Sequence, residues 1–130
     1  GPPPPSAKSK LRCIALPLPI DPGDWRLRHK KTDRGFYEEA LAAATAEGAE
    51  EALLVCPEGF VTEGSFTNVF VERDGVLFTP PATLGLLPGV LRRSLLDSGK
   101  AREEQLTLDD LENGFLLGNA VRGLMKAELI

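Results

Sequence analysis

A cluster of basic side chains lies between Arg26 and Arg34, and these residue types could form an anion-binding site or supply a lysine for covalent chemistry. Lys30 lies in this cluster, with Arg28 and Lys31 as near neighbours. A lysine amine acts as a nucleophile, and then as a proton shuttle, when burial or nearby cations favour its neutral form. Lys30 is therefore a candidate nucleophile, while a solvated basic loop is the simpler interpretation of the same cluster.

A predicted helix start at Pro88-Gly89-Val90-Leu91 offers a different kind of chemistry. The first backbone N–H groups of a helix have no partner within the helix, and together with the helix dipole they bind phosphate groups. Pro88 suits the first turn because the N–H that proline lacks would be unpaired there anyway. We expect the amides of Val90 and Leu91 to be donors to an anion.

Composition and charge limit the classes of protein to which this chain can belong. It has 130 residues, of which 42% are hydrophobic and 26% charged, as expected for one globular domain. The net charge of −4 argues against binding along a nucleic-acid backbone. The charge is uneven, because residues 1–34 carry eight basic and three acidic side chains, whereas the remaining residues are strongly acidic.

The two cysteines indicate a reducing compartment. Cys13 and Cys56 lie in apolar, strand-like contexts, and with one histidine in the chain no zinc site can be assembled. We expect buried thiols and a cytoplasmic location.

No apolar run is long enough to span a membrane, and residues 1–10 are rich in proline, as in a disordered tail or linker remnant.

Strands and helices are predicted in mixed order. A helix from Thr32 to about Glu47 is rich in strong helix formers and ends at Gly48, and a second helix runs from Pro88 to Gly99. Strands are predicted at Leu11–Leu18, Glu51–Cys56, Phe66–Glu72, Val76–Thr79, Lys100–Leu106, Phe115–Val121 and Leu124–Ile130, with a hairpin turn at Asp74-Gly75 and a short helix from Thr107. This order predicts an α/β domain of the mixed, α+β type, without a purely parallel sheet.

Three segments, taken together and in this order, resemble the fold-type IV pyridoxal-phosphate enzymes. This group holds branched-chain aminotransferases, D-amino acid aminotransferases and 4-amino-4-deoxychorismate lyases. The segments are Arg28 to Tyr37 (RHKKTDRGFY), Val61 to Asn68 (VTEGSFTN) and Gly85 to Val90 (GLLPGV). The resemblance is closest to the lyase branch, which carries His-Lys-Thr-Thr-x-Arg near a tyrosine and ends in Asn-Ser-Val-Arg-Gly. The counterparts here are residues 29–34 with Tyr37, and Asn119-Ala120-Val121-Arg122-Gly123.

The resemblance implies that Lys30 holds pyridoxal 5′-phosphate through a Schiff base. Lys30 lies four residues before Arg34, as the family pattern requires, and Lys31 occupies the place of a threonine. A shift of one residue to Lys31 is the alternative, because adjacent lysines blur the register. We expect a structural rather than a catalytic role for His29.

Further residues are implied to bind the other parts of the cofactor. Glu63 matches the carboxylate beside the pyridine nitrogen, and Leu87 matches the residue beneath the ring. The implied phosphate contacts are Val90, Leu91, Asn119 and Ala120, although relatives often have threonine at position 91 and threonine or serine at position 120. No metal is expected.

Two implied contacts have competing structural interpretations. Tyr37 matches a tyrosine that bonds the cofactor phenolate in many relatives, and packing in the core is the alternative. Arg122 is placed to bind a substrate carboxylate in a bidentate manner, and an exposed strand-end arginine is the alternative.

The resemblance also implies a fold, an activity and partners. Residues 11–130 correspond to the C-terminal large domain of the D-amino acid aminotransferase-like fold, with no counterpart here of the N-terminal small domain. The implied enzyme is a pyridoxal-phosphate-dependent lyase that releases pyruvate and forms 4-aminobenzoate for folate biosynthesis. The alternatives are a D-amino acid or branched-chain aminotransferase and a non-catalytic fragment. The implied partners are a second copy in a homodimer, the missing domain or a fused synthase, with no nucleic acid and no membrane.

Overall fold

The computed structural model of the protein describes residues 10–18 and 35–130. The predictions made for residues 1–9, and for Lys30, Lys31 and His29, lie outside the described residues.

The described residues form an α/β domain. The strands are β1 (Leu11–Pro17), β2 (Glu51–Val55), β3 (Val61–Gly64), β4 (Asn68–Arg73), β5 (Val76–Thr79), β6 (Ala101–Glu103), β7 (Phe115–Asn119) and β8 (Gly123–Leu129). The helices are α1 (Gly35–Ala46) and α2 (Val90–Asp97), with 3₁₀ turns at Ala82–Leu84 and Leu108–Leu111. Parallel and antiparallel pairs are both present, as the sequence predicts.

These strands form one curled sheet in the order β3-β2-β1-β8-β7-β4-β5-β6. Residues 65–67 alone connect β3 to β4, although four strands lie between them in that order. In a flat sheet, five spacings of about 4.8 Å would separate the two strands by about 24 Å. The chain from Gly64 to Asn68 reaches at most about 15 Å, so the sheet has to curl.

Contacts at both ends of β3 close the curl. The N–H of Gly64 donates to the carbonyl of Thr67 at 2.9 Å, next to the start of β4. At the other end, the N–H of Val61 donates to the carbonyl of Leu106 at 2.7 Å, in the segment that follows β6. Strand β3, at one end of the sheet order, therefore contacts the segment that follows β6, the strand at the other end.

The curl divides the apolar residues into an interior and two outer layers. The interior holds buried side chains from six strands and from the segment after β6: Cys13, Leu53, Val61, Val69, Val71, Leu106, Leu111, Phe115, Leu117 and Ala127. Helix α1 covers the outer face of β1 and β2, and helix α2 covers that of β4 to β7. The outer surface between these two helices is where the candidate site lies.

Several predicted boundaries differ from the observed ones. Strand β3 was not predicted, because its four residues carry a polar pair, Thr62 and Glu63, where a buried strand is expected to be apolar. Helix α2 begins at Val90 with Gly89 as its N-cap, so the placement of Pro88 in its first turn is wrong. The hairpin turn is confirmed, since Asp74 has φ 52° and Gly75 has φ 81°.

Both cysteines are free and buried, as the sequence predicts. Burial raises the pKa of Cys13 to about 12, and the negative charges of Glu51 and Glu50 add to the effect. Its thiol therefore stays protonated at neutral pH. Among the described residues, no helix combines the length and apolar character that a membrane span requires.

Candidate functional site

An irregularity in strand pairing determines which face of the sheet carries Glu63. The paired residues are Leu53 with Gly64, Leu54 with Glu63, and Val55 with Val61, which leaves Thr62 as an extra residue. Val61 packs in the interior, and strict alternation would place Glu63 on that same face. The bulge instead turns Glu63 toward the outer face, where Tyr37 lies.

The Glu63 carboxylate is buried and each of its oxygens accepts a hydrogen bond. The Tyr37 hydroxyl donates to Oε2 at 2.9 Å, and the N–H of Leu87 donates to Oε1 at 3.1 Å. Only 4% of Glu63 is exposed. Because a carboxylate that is removed from water needs such donors, these two bonds stabilise the carboxylate between helix α1 and the loop before helix α2.

Tyr37 belongs to the first turn of helix α1 and is almost completely buried, with 1% of its surface exposed. Its ring packs against Leu18, Leu54 and Cys56 on the outer face of the sheet. The structure therefore combines the predicted core packing with a polar contact to Glu63. Its predicted contact with a cofactor phenolate stays a prediction.

Asn68 connects the start of β4 to the loop before helix α2. Its Nδ2 donates to the carbonyl of Leu87 at 3.0 Å. A Cβ atom placed on Gly89 would come within 2.6 Å of its Oδ1, so only glycine fits at this N-cap without displacing the amide. Leu87 thus donates its N–H to Glu63 and accepts from Asn68, which holds the loop from two directions.

Helix α2 directs its first turn at the same region. Gly89 provides no side chain to cap the helix, and the part of the chain that the structure describes offers no acceptor to the amides of Val90 and Leu91, which helix geometry leaves unpaired. Val90 is 74% exposed. The Leu91 side chain lies next to Gly118, where a Cβ atom would approach its Cδ2 within 2.8 Å.

An ion pair keeps the chain that leads into helix α2 in place. The Arg92 guanidinium is buried, donates to the carbonyl of Pro80 at 3.1 Å and pairs with Glu103. The N–H of Ala82 also donates to Glu103, and this bond is the main reason why the pKa of Glu103 is lowered, followed by Arg92. Both ends of the loop from Pro80 to Gly89 are therefore held.

The turn between β7 and β8 is organised by Asn119. Its Oδ1 accepts the N–H groups of Val121 and Arg122 at 3.0 and 2.8 Å, and its Nδ2 donates to the carbonyl of Phe66 at 3.1 Å. The Arg122 guanidinium lies over the Phe66 ring, 5.6 Å from its centroid. A cation on an aromatic face is held in orientation without being neutralised.

These elements surround an open cavity of about 190 Å³. It is lined by Glu63, Gly64, Ser65, Phe66, Thr67, Asn68, Leu87, Gly89, Asn119 and Ala120. Of the predicted site residues, Glu63, Leu87, Asn119 and Ala120 thus share one cavity. Tyr37, Val90, Leu91 and Arg122 are not among its lining residues. Tyr37 and Arg122 contact the lining residues Glu63 and Phe66, and Val90 follows the lining residue Gly89 in the chain, whereas Leu91 lies one position further along helix α2.

Ser65, Phe66, Thr67 and Asn68 line the cavity but were not predicted as site residues. The sequence contains a signal for three of them, because the polar residues Ser65, Thr67 and Asn68 follow Glu63 in the segment that suggested the resemblance. Their place in the wall depends on the short connection between β3 and β4, which sequence periodicity does not reveal.

Comparisons with known proteins agree with this architecture. A family model described as amino-transferase class IV matches residues 1–130. A solved structure titled a "Putative amino-acid aminotransferase" from Mesorhizobium loti is 39% identical, with a TM-score of 0.84 over 95% of this chain and 61% of that one. The chain therefore belongs to the class IV aminotransferase family, whose enzymes use pyridoxal phosphate.

Named relatives include both lyases and aminotransferases. A Schizosaccharomyces pombe protein named "Putative aminodeoxychorismate lyase" is 38% identical over 78% of this chain and 47% of its own length. The branched-chain-amino-acid aminotransferase of Pseudomonas aeruginosa is 37% identical over 62% of this chain and 29% of its own length. A "T.th." branched-chain amino acid aminotransferase, solved with pyridoxamine 5′-phosphate, is 26% identical, with a TM-score of 0.72 over 93% of this chain and 43% of that one. The chain thus spans less than half the length of these relatives.

The bond between Tyr37 and Glu63 leads to a prediction about stability. Replacing Tyr37 by phenylalanine removes a donor from a buried carboxylate while keeping the ring, and we expect a loss of about 1.5–3 kcal/mol in the free energy of unfolding. Urea denaturation at neutral pH measures it. In a Glu63→Gln background the same change should cost clearly less, and an equal cost in both backgrounds would show that the two side chains do not interact.

Proposed function

We propose that this chain binds pyridoxal 5′-phosphate and that residues 11–130 are the cofactor-binding domain of a 4-amino-4-deoxychorismate lyase. The observation that supports this most directly is the buried Glu63 carboxylate in the wall of a cavity that also includes Gly89, the N-cap of helix α2. A carboxylate and a set of free amides are what a protonated pyridine ring and a phosphate group require at opposite ends of one ligand.

The donor groups around the cavity fit the cofactor. Glu63 offers a fixed negative charge, Leu87 an apolar surface, and helix α2 unpaired amides at Val90 and Leu91. The cavity volume of about 190 Å³ is below the roughly 300–1,000 Å³ typical of small-molecule pockets. We propose that the described residues form one part of the binding site and that the segment carrying Lys30 completes it.

Each residue has a separate task in this proposal. When bound, the cofactor supplies an electron sink for the pair released as a bond next to the substrate amine breaks. Lys30 would hold the cofactor through its Nζ, and after the substrate amine has taken its place, the released Nζ would accept the proton from the amine-bearing ring carbon of the substrate. Glu63 would favour the protonated pyridine nitrogen, with Tyr37 and the amide of Leu87 donating to its two oxygens.

The phosphate and the substrate are assigned to the other side of the cavity. The amides of Val90 and Leu91 bind the phosphate from one direction, and Asn119 and Ala120 bind it from the other. Arg122 binds a substrate carboxylate through its guanidinium, which Phe66 supports from beneath. Leu91 and Ala120 carry no hydroxyl group, so phosphate binding relies mainly on backbone donors.

The lyase reaction is preferred because of the Asn119–Gly123 motif and the similarity to the lyase-named relative. Breaking the enolpyruvyl ether bond of 4-amino-4-deoxychorismate releases pyruvate and leaves the aromatic ring of 4-aminobenzoate. No second amino acid takes part. Transamination is the second candidate, since an aminotransferase relative has nearly the same identity. We also propose that the protein forms a homodimer. We propose a cytoplasmic location because both cysteines are free and buried.

The covalent role of Lys30 can be tested by visible absorption after addition of pyridoxal 5′-phosphate. We expect a Schiff-base band in the wild-type chain and in Lys31→Ala, and no such band in Lys30→Ala. The two variants change charge equally, so each is the control for the other. Loss of the band in Lys31→Ala alone would assign the link to Lys31.

The type of reaction can be tested by product analysis without an amino acceptor. With 4-amino-4-deoxychorismate as the sole substrate, the lyase should release pyruvate and 4-aminobenzoate in equal amounts. Transfer of an amino group from an added amino acid to an added keto acid, with no pyruvate or 4-aminobenzoate from 4-amino-4-deoxychorismate, would favour the aminotransferase. The wild-type chain with its cofactor and Lys30→Ala should be compared in the same assay.

A further inference from the structure

Glu51 has a buried carboxylate that the proposed reaction does not use. It lies on β2, has no exposed surface and was not predicted as a site residue. Its oxygens accept the N–H groups of Ser65 at 3.0 Å and Phe66 at 3.2 Å, and the hydroxyl of Thr67 at 3.0 Å. The Ser65 hydroxyl and the N–H of Ala52 are further donors.

Four of these five donors come from the loop of residues 65–67. Both oxygens of the Glu51 carboxylate accept hydrogen bonds from these five donors. Hydrogen bonds to a carboxylate are stronger than hydrogen bonds between neutral groups. Without Glu51, the loop would lose partners for two backbone amides and two hydroxyl groups in a buried setting. The carboxylate is therefore what holds the conformation of this connection.

Glu51 and the cavity lie on different sides of the loop. Glu51 is not among the lining residues, whereas Ser65, Phe66 and Thr67 all are. Leu53, two residues further along β2, packs in the interior, while the neighbouring Leu54 packs with Tyr37 on the outer face. Alternation therefore places Glu51 on the interior side, and Glu63 on the other.

Gly64 allows this approach from the interior. A Cβ atom on Gly64 would come within 2.6 Å of Glu51 Oε2 and closer still to the Thr67 hydroxyl. The φ of Gly64 is not in the left-handed region, so glycine is required here for space and not for backbone conformation. The carboxylate occupies the place where any other residue would carry its side chain.

We propose that Glu51 is a positioning residue for the cofactor cavity. It fixes residues 65–67 from beneath, and thereby fixes Glu63 at the end of β3 and Asn68 at the start of β4 relative to each other. Because Asn68 holds the carbonyl of Leu87 and Glu63 accepts its N–H, the loop before helix α2 is aligned by the same connection. The identity of the ligand in this inference rests on the proposed function, whereas the hydrogen bonds of Glu51 are independent of it.

Amide hydrogen exchange on the chain without cofactor tests the geometry. In the wild-type chain, the amides of Ser65 and Phe66 should exchange as slowly as those of the neighbouring strands. Glu51→Gln should accelerate these two amides at least about tenfold, because an amide side chain replaces one acceptor oxygen with a donor. Glu50→Gln, on the exposed neighbour, should leave them unchanged. Equal protection in Glu51→Gln and in the wild type would overturn the proposal.

Titration with pyridoxal 5′-phosphate, followed by absorption, tests the consequence for binding. We expect Glu51→Gln to weaken affinity about 10- to 100-fold, by analogy with the loss of hydrogen-bonded partners that orient metal ligands. Val71→Ala is the control for lost stability, since Val71 is a core residue outside the cavity, and it should bind as the wild type does. Equal weakening in both variants would overturn the positioning role.

A pair of variants at Thr67 covers the case in which Glu51→Gln does not fold. Thr67→Val removes the hydroxyl that donates to Glu51, whereas Thr67→Ser keeps it. Faster exchange of the Ser65 and Phe66 amides in Thr67→Val but not in Thr67→Ser supports the proposal, and no difference between the two contradicts it. If the wild-type chain does not bind the cofactor at all, the proposed function fails while the exchange result still decides the role of Glu51.

Discussion

The candidate site depends on the hydrogen bonds that the buried carboxylate of Glu63 accepts. Its two oxygens accept from Tyr37 in helix α1 and from the amide of Leu87 before helix α2. The two helices cover different parts of the sheet, so this side chain is a point at which their positions become coupled. Burial of a carboxylate costs free energy, and hydrogen bonds from Tyr37 and from the cavity-lining Leu87 offset that cost.

The pairing of β2 with β3 determines where the Glu63 carboxylate lies. The extra residue at Thr62 turns Glu63 away from the apolar interior, and the short connection after Gly64 forces the sheet to curl. Glu51 then supports the connection from the interior side. We propose that the two buried glutamates on opposite faces have separate roles, because Glu63 lines the cavity whereas Glu51 holds residues 65–67.

Sequence analysis predicted the parts of this arrangement that depend on local pattern. The apolar strands, the Asp74-Gly75 hairpin and the helix after Thr32 follow from periodicity and turn chemistry, and the order of three motifs indicated the family. Two of the missed features, strand β3 and the role of Glu51, depend on contacts between distant residues, whereas the start of helix α2 is a local boundary. Strand β3 is too short and too polar to stand out, and Glu51 looks like one of many acidic residues until residues 65–67 fold onto it. Pro88 was placed inside helix α2, whereas Gly89 caps the helix and Pro88 precedes that cap.

The most direct test of the central claim is the protonation of the cofactor ring at Glu63. Nitrogen-15 NMR of the chain loaded with pyridoxal 5′-phosphate that is labelled at the pyridine nitrogen reports whether that nitrogen carries a proton. We expect a protonated nitrogen in the wild-type chain at neutral pH, and its loss in Glu63→Gln, which keeps the shape of the side chain but removes its charge. A nitrogen signal that is the same in both proteins would contradict the account.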